Sequence, residues 1–482
     1  MKNKIFKPRY YKHIDKVVNI RDVIDKVKDK EYIKKHSFFP FISYTLKFKK
    51  FCSEVDENTH QHWKFKERPI KYASHIDRCI YQWYSYNLNN KYNNYCYKSN
   101  LHDSVIAYRT NLKGKTNIEF AKEAFDFIKK HDECYILVSD FSKFFDYIEH
   151  DLLKRNLCEI LNVNKLDDDF YKVFRSMTKY AYIEKEIIEK YLISNKIETK
   201  ESIKNNNSLF DKIPWKIAKK DLKASIKINK EKYGIPQGSP LSGIFANIYM
   251  INFDKLVNEY VKNKNGIYRR YSDDLIVIIP KIEVGSINEI WDYLNIIKDM
   301  YPMLKMNVSK TSGYLYKDKK IISLHNYISG MKDGNGFISY LGFSFDGKYI
   351  KFRDKTLTKF FYKLYRKIDD MKKRETKRIL KGKKRHTKID KHLILKELNS
   401  STGESRKFID YVKRAKRVFK NEKYIIQFEK SVKNKIFVRF QQNTSNEKKA
   451  CIEAVKWFIL QVIHIEIFLD FISWKKIVII CW

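Results

Sequence analysis

The sequence predicts an α+β protein built from several compact units, on three observations. A short apolar run, Tyr135–Val138, ends in Ser139-Asp140 and reads as a buried strand with an acid at its exit. Two β-rich stretches, Tyr268–Tyr271 and Leu275–Ile279, flank Ser272-Asp273-Asp274 and read as a hairpin with an acidic tip. Helical apolar spacing surrounds both. The 482 residues exceed one ordinary domain, at roughly 150 residues each, and with 43% hydrophobic residues the chain can bury a full core.

In order along the chain, residues 1–60 are basic and helix-prone, with few turn signals before Pro40, and read as an N-terminal extension, bounded here at 1–65. Between Lys66 and Ile128, Ile76, Ile80, Trp83, Tyr84 and Leu88, then Ile118, Ala121, Ala124, Phe125 and Ile128, recur at helical spacing. The polar text from Glu184 to Lys232, with Lys204-Asn205-Asn206-Asn207-Ser208 near its centre, predicts a surface insertion or long loop. After Ile338–Phe345 the chain turns basic: Lys363–Lys391 holds 14 Lys/Arg against 4 Asp/Glu. Phe360, Phe361, Tyr362 and Tyr365 at its start favour packing or base stacking.

Charge narrows the function. The formal net charge of +41, from 98 Lys+Arg against 57 Asp+Glu, exceeds what solubility requires and predicts a polyanionic partner, nucleic acid first. No lipidation motif supports a membrane surface instead. The seven cysteines form no CxxC pair or Cys/His cluster, which argues for reduced thiols in a cytosol and against structural zinc. Met1–His13 lacks the roughly 7–15-residue apolar core of a secretory signal, so a cytoplasmic location is expected. The tail Trp457–Trp474 approaches membrane-span length, but Gln461, His464, Glu466 and Asp470 interrupt it. An Asp at a helix centre costs roughly 2.5–3.5 kcal/mol on translocon scales, so a buried or oligomer-forming helix is expected there.

Acids on rigid strands suit hard divalent cations. Two Mg²⁺ ions keep several waters and need two or three carboxylates from the protein. Asp140 and the Asp273-Asp274 pair meet that need if their strands are neighbours. A lone Asp-Asp pair is ordinarily a solvated turn. Here the pair stands in an ordered series: Asp140, the loop Gly234-Ile235-Pro236-Gln237-Gly238-Ser239-Pro240-Leu241-Ser242, the hairpin acids, Asn307-Val308-Ser309-Lys310-Thr311, and Tyr340-Leu341-Gly342-Phe343.

That series resembles reverse transcriptases. VSDFSKFFDYI is similar to the family's first palm motif, GIPQGSPLSGIFANIYM to its second, YRRYSDDLIVI to its YxDD box, LKMNVSKTSGY to its fourth, and ISYLGFSF to its primer grip, carried by Tyr340, Leu341 and Gly342. RPIKYASHIDRCIYQWY and IAYRTNLKGKTNIEFAKEA resemble finger segments. The resemblance spans Lys66 to Phe345. It implies a right-hand polymerase: fingers and a ferredoxin-like antiparallel palm over 66–345, a basic helical thumb beginning at 346–400, and a C-terminal helical appendage over 401–482.

The roles the resemblance implies are these. Asp140, the Phe141 carbonyl and Asp273 hold two Mg²⁺, with Asp274 in support. Phe145 stacks under the sugar and favours dNTPs; its plain alternative is a core Phe. Gln237 and Gly238 lie close to the incoming nucleotide and the template base, and Arg78 clamps the triphosphate, unless it is simply an ion-pair partner of Asp77. Ile76 stands where intron relatives often carry Lys, and His75, Lys71 or Arg68 are the substitutes. Lys310 is the candidate general acid for the leaving pyrophosphate. Lys372, Lys373, Arg374, Lys377, Arg378, Lys383, Lys384 and Arg385 track a nucleic-acid backbone, or form a solvated arm.

RNA-templated DNA synthesis follows as the expected activity, with RNA template, DNA product and dNTPs as partners. The chain lacks an HNH zinc pattern and the VTG and NAxxH strings of retron enzymes. FIDYVKRA, Phe408–Ala415, is similar to text in the stand-alone abortive-infection and antiphage-defence group, where a partner non-coding RNA often serves as template and some members prime from a protein hydroxyl. Group II intron or retron enzymes, an RNA-binding maturase-like scaffold and a template-independent terminal transferase stay as alternatives.

Overall fold

The computed structural model describes residues 6, 9–51, 63–112, 114–205, 208–334, 336–380, 404–428, 431 and 434. The chain divides into two units, Met1–Tyr340 and Leu341–Trp482.

The first unit begins with two short helices, α1 (Ile20–Lys28) and α2 (Lys30–Lys35). The Asn19 and Asp29 side chains accept from the Arg21 and Glu31 amides, which satisfies donors that a helix start leaves open. Beyond Pro40 the chain departs from the helix-prone extension expected of residues 1–65. It forms a long antiparallel pair, β1 (Phe41–Phe51) and β2 (Trp63–Tyr72), with Tyr44 opposite Ile70, Leu46 opposite Arg68 and Phe48 opposite Lys66. The reason is visible in the text: Ile42, Tyr44, Leu46 and Phe48 alternate, which is the period of a strand and not of a helix.

The long helix α3 (His75–Lys98) follows, capped by Ser74, and then α4 (Asn117–Lys129), whose Thr116 and Glu119 form a reciprocal capping box. The apolar strand β3 (Cys134–Asp140) leads to α5 (His150–Leu161), α6 (Asp168–Thr178) and β4 (Ala181–Glu184). Instead of an open loop, residues 185–225 fold into α7 (Lys185–Ser194), α8 (Lys200–Asn205) and α9 (Trp215–Leu222), ahead of β5 (Lys227–Ile228). Polar composition suggested a loop, but Ile188, Leu192, Leu209, Phe210, Ala218 and Leu222 are spaced widely enough to supply one apolar side, which buries against Ile14, Ile42 and Ile183. The strands β2-β1-β4-β5 thus make one four-stranded sheet.

The remainder of the unit is α10 (Ser242–Tyr249), α11 (Ile251–Asn263), the hairpin β6 (Ile267–Tyr271) and β7 (Asp274–Pro280), α12 (Ile287–Asp299), the pair β8 (Ser312–Lys317) and β9 (Lys320–Ser323), and β10 (Ile338–Tyr340). A five-stranded antiparallel sheet orders them β6-β7-β3-β8-β9. With β3 central and the hairpin beside it, the two acidic segments emerge at the same sheet end. Leu137, Leu275, Val277 and Ile279 are fully buried in a core shared with α10, α11 and α12.

In the second unit, β11 (Phe343–Phe345) pairs antiparallel with β12 (Ile350–Phe352), and the helices α13 (Asp354–Leu380) and α14 (Glu404–Val418) follow. Its core is aromatic: the Phe360 and Phe408 rings stack with centroids 4.2 Å apart, and Phe343, Phe352, Phe419 and Phe428 are buried. Lys383, Lys384, Arg385 and the apolar tail from Cys451 lie outside the described residues. Among the described residues no helix is long and apolar enough to cross a membrane.

One buried group makes stability depend on pH. His13 is wholly buried, with Nε2 3.2 Å from the Tyr72 carbonyl and Nδ1 without a hydrogen-bond partner. Asp15 stands 3.8 Å from Nδ1, too far to bond, and burial pushes the imidazole from its usual 6.5 down to about 3. The depressed value means that neutral His13 favours the fold fully above pH 6.5, and that this contribution drains away as pH falls from about 6.5 toward about 3. The urea midpoint should therefore fall between pH 7 and pH 5, and fall less in His13→Gln. Equal falls in both proteins would remove His13 as the cause.

Candidate active site

Strand register builds the site. Asp140, last residue of β3, lies directly across from Asp274, first residue of β7. The Phe141 amide donates to the Asp273 carbonyl at 3.1 Å, so the hairpin tip is tied to the end of β3. On the other flank the Asn307 amide donates to the Asp140 carbonyl at 3.0 Å, and the buried Ser139 and Thr311 hydroxyls are 2.7 Å apart. These bonds hold the segment after α12 against β3 and bring Lys310 to Asp140: its ammonium donates to Oδ2 at 2.7 Å. The other oxygen, Oδ1, is buried with no hydrogen-bond partner among the described residues. Asp274 is exposed and Asp273 partly so.

This arrangement fits divalent cations. A buried carboxylate oxygen lacking a donor is costly unless something positive meets it, and all three acids are hard oxygen ligands, Asp140 and Asp274 at strand ends and Asp273 in the turn between β6 and β7. As they stand, the described residues gather no closed cluster of three metal-ligating side chains.

The GIPQGSPLS segment lies beside the acids because it is bonded on two sides. The Gly234 and Ile235 amides donate to the carbonyls of Ile148 and Phe145 at 2.8 and 3.0 Å, while the Gln237 carbonyl accepts from the Lys71 amide on β2 at 2.9 Å. The Ser242 hydroxyl donates back to the Pro236 carbonyl at 2.6 Å, which sets the start of α10. Phe145, half-buried, therefore sits where the loop meets the segment after β3. Gly238 has φ +130°, and a Cβ there would stand 2.6 Å from the Lys71 carbonyl oxygen, closer than any side chain tolerates. Gly238→Ala should push the loop off β2 and cost about 1–3 kcal/mol of stability, as forced overpacking does; an unchanged urea midpoint would show that the loop has slack.

Arg78 is not the partner that Asp77 bonds: the Asp77 carboxylate takes His36 and the Phe39 amide. It is buried on the first turn of α3, where burial pushes its guanidinium value down, and the Tyr11 phenol, the Cys79 thiol and Arg9 are the groups acting on it. His75, one proposed substitute, is likewise buried, bonded through Nε2 to the Tyr11 carbonyl. A second cation that feels the acids, besides Lys310, is Lys66 on β2: partial desolvation, Arg68 and Lys310 push its value down, while Asp140 and Asp273 pull it up. Sequence reasoning missed Lys66 because the text from Lys66 onward was read for its helical spacing and the extension before it as helix-prone, so no strand pair was expected there; the alternation of β1 was the available signal. Lys71 is half-buried over the Tyr180 and Tyr182 rings, 5.4 and 5.0 Å from their centroids.

Tyr340, the last residue of β10, is buried, and its hydroxyl has no hydrogen-bond partner; burial pushes its value far up, with Arg269, Asp274 and Tyr271 as charged or polar neighbours. Leu341 and Gly342, which follow it, take φ of 46° and 94°. Lys372, Lys373, Arg374, Lys377 and Arg378 fall within α13.

Carboxylates from two neighbouring antiparallel strands, with a glycine-bearing loop bonded to the segment that follows the first acid, define a palm-type nucleotidyl transfer centre. The reverse transcriptase (RNA-dependent DNA polymerase) family matches residues 58–345, and the chain belongs to that family. Members of this family generally use divalent metal ions. Among solved structures the chain is similar to the apo telomerase of Candida tropicalis lacking its C-terminal domain, at 14% identity over 60% of this chain and 53% of that one, with a TM-score of 0.37. It is similar also to the untruncated Candida tropicalis apo telomerase, at 14% identity over 66% and 48% with a TM-score of 0.37. A third match is the Candida albicans telomerase in complex with a fragment of telomeric RNA, at 14% identity over 88% and 66% with a TM-score of 0.37. The chain thus spans about half the length of the first two telomerase chains.

Proposed function

We propose that the protein is an RNA-directed DNA polymerase that uses two Mg²⁺ ions and copies a partner non-coding RNA in antiphage defence. The observation that carries the enzymatic part is the cross-strand pairing of Asp140 with Asp274, with Asp273 tied by its carbonyl to the Phe141 amide. Asp140, the Phe141 carbonyl and Asp273 are the residues that would hold the metals, with the exposed Asp274 in support. Bound there, two divalent ions supply Lewis-acid stabilisation of the attacking 3′-oxygen and of the leaving pyrophosphate. The chain's own part is positioning: β3 and β7 fix the acids, the loop from Gly234 to Ser242 would receive the nucleotide, and Lys66 adds positive charge near Asp140 and Asp273. Lys310, whose ammonium is bonded to Asp140, would give a proton to the leaving pyrophosphate once that bond is released.

The defence role rests on FIDYVKRA, which lies within α14, and on the net charge of +41, suited to a bound RNA. Purified protein given an RNA template, a primer, dNTPs and Mg²⁺ should make DNA complementary to the template, and sequencing of RNA recovered with the protein from its host should return one abundant transcript. DNA whose sequence ignores the template would favour a terminal transferase, and no incorporation on any template would favour an RNA-binding scaffold. Phe145→Ala should relax sugar choice, raising ribonucleotide incorporation about tenfold or more relative to dNTPs, as removal of a steric barrier in a snug pocket does; unaltered selectivity would return Phe145 to the core.

A further inference from the structure

The tip of the acidic hairpin is strained in a way that points to its support. Tyr271 pairs with Asp274, so Ser272 and Asp273 form a two-residue turn. Of these two, Ser272 alone has positive φ, +64°, in the first central position, a place glycine usually takes in such turns. A serine stays there only if its surroundings hold it.

They do so from two sides. The Arg270 guanidinium donates to the Ser272 carbonyl at 2.9 Å, and the Tyr108 hydroxyl lies 3.1 Å from the Ser272 hydroxyl. Arg270 is wholly buried and cannot drift: it grips Asp254 with two bonds of 2.7 and 2.6 Å, and Tyr268 donates to the same carboxylate at 2.8 Å. Tyr108 is equally constrained. Its own φ is +56°, its carbonyl accepts from Asn89 at 2.6 Å, and its ring lies flat on Gly243, where a Cβ would meet ring Cγ at 2.7 Å. The loop carrying it is bonded to β6, since the Arg270 amide donates to Ser104 and the Ile106 amide to Arg270, at 2.8 and 3.0 Å. Asn247 joins both supports, donating to the Ala107 carbonyl at 2.8 Å with its carbonyl oxygen 3.4 Å from Arg270.

We propose that Arg270 and Tyr108 are positioning residues that clamp Ser272 in its left-handed conformation and thereby aim the Asp273 carboxylate at Asp140. The proposal rests on the reading of Asp273 as a metal ligand. Neither residue touches the reacting atoms; both act through the turn. Gly243 belongs to the same device, because only a residue without a side chain lets the Tyr108 ring reach Ser272.

Replacing Arg270 risks unfolding, so the test uses Tyr108→Phe, which keeps the ring on Gly243 and deletes one hydroxyl. Two readouts are taken: Mn²⁺ binding by electron paramagnetic resonance on the full chain with no substrate, and kcat and KM for dNTPs in primer extension. Expected are Mn²⁺ binding weakened about fivefold and a similar fall in kcat, the worth of one hydrogen bond, with KM and melting temperature unchanged. In an S272G background the same change should have no effect, since glycine adopts the turn unaided. Unaltered Mn²⁺ binding in Tyr108→Phe, or an equal loss in the S272G background, would overturn the clamp. If the wild type bound Mn²⁺ with this pattern but made no DNA, the polymerase reading would fall while the clamp stood.

Discussion

Asp273→Asn should extend a primer on RNA at least about 10³-fold more slowly than the wild type, because losing one metal-ligating charge removes several kcal/mol of transition-state stabilisation at 1.36 kcal/mol per tenfold. The substitution keeps the shape of the side chain and the carbonyl that accepts from the Phe141 amide, so the hairpin should stay in register and the melting temperature should barely move. Asp140→Asn should be as damaging. It deletes the charge beside the unpartnered Oδ1 and releases Lys310. Asp274→Asn should cost less, because Asp274 is exposed and leads away along β7. Primer extension by Asp273→Asn at more than a tenth of the wild-type rate would refute the metal assignment.

The largest effect on stability is expected at Asp254→Ala. Arg270 and Asp254 are both wholly buried, and two short bonds join them. The carboxylate holds the guanidinium charged against the desolvation that burial imposes. Removing one partner of such a pair costs about 3–5 kcal/mol, since a charge is left in the core with nothing to meet it. Against a typical total of about 5–15 kcal/mol, that loss should leave little folded protein at 37 °C. The double replacement Asp254→Leu with Arg270→Met should recover much of the stability, as apolar substitutes for buried pairs do. It should not recover catalysis, because the Ser272 carbonyl loses its donor. Urea denaturation of the single and double variants decides this: a double variant no more stable than Asp254→Ala would mean that the pair is not what Asp254→Ala disrupts.

How much of this was legible depends on the range of the interaction. The strand ending in Asp140 and the hairpin around Ser272-Asp273-Asp274 were plain from apolar runs a few residues long, and the structure has them at Cys134–Asp140, Ile267–Tyr271 and Asp274–Pro280. The pair β1–β2 was missed although Ile42, Tyr44, Leu46 and Phe48 alternate, because the alternation is short and Lys47, Lys49 and Lys50 continue the lysine-rich, helix-prone text before Pro40. The helices α7 to α9 were missed because scattered apolar residues in polar text show no face until a partner sheet covers them. The surroundings of Arg78 were not legible either: the plain alternative paired it with its neighbour Asp77, whereas Asp77 bonds His36 and the Phe39 amide, and Arg78 lies near Tyr11.

By itself the sequence determined the order of the motifs, the acids that end one strand and begin another, and the positive charge, all of which are properties of short stretches or of composition. Only the tertiary structure decided that β3 lies between β7 and β8, that Lys66 joins Lys310 among the cations acting on the acids, and that Arg270, one of 98 basic residues, is buried on Asp254 behind the turn. Those facts join residues that chain spacing does not relate: strand pairing and burial are settled by which apolar faces cover one another, and a buried arginine is spelled in the text like an exposed one.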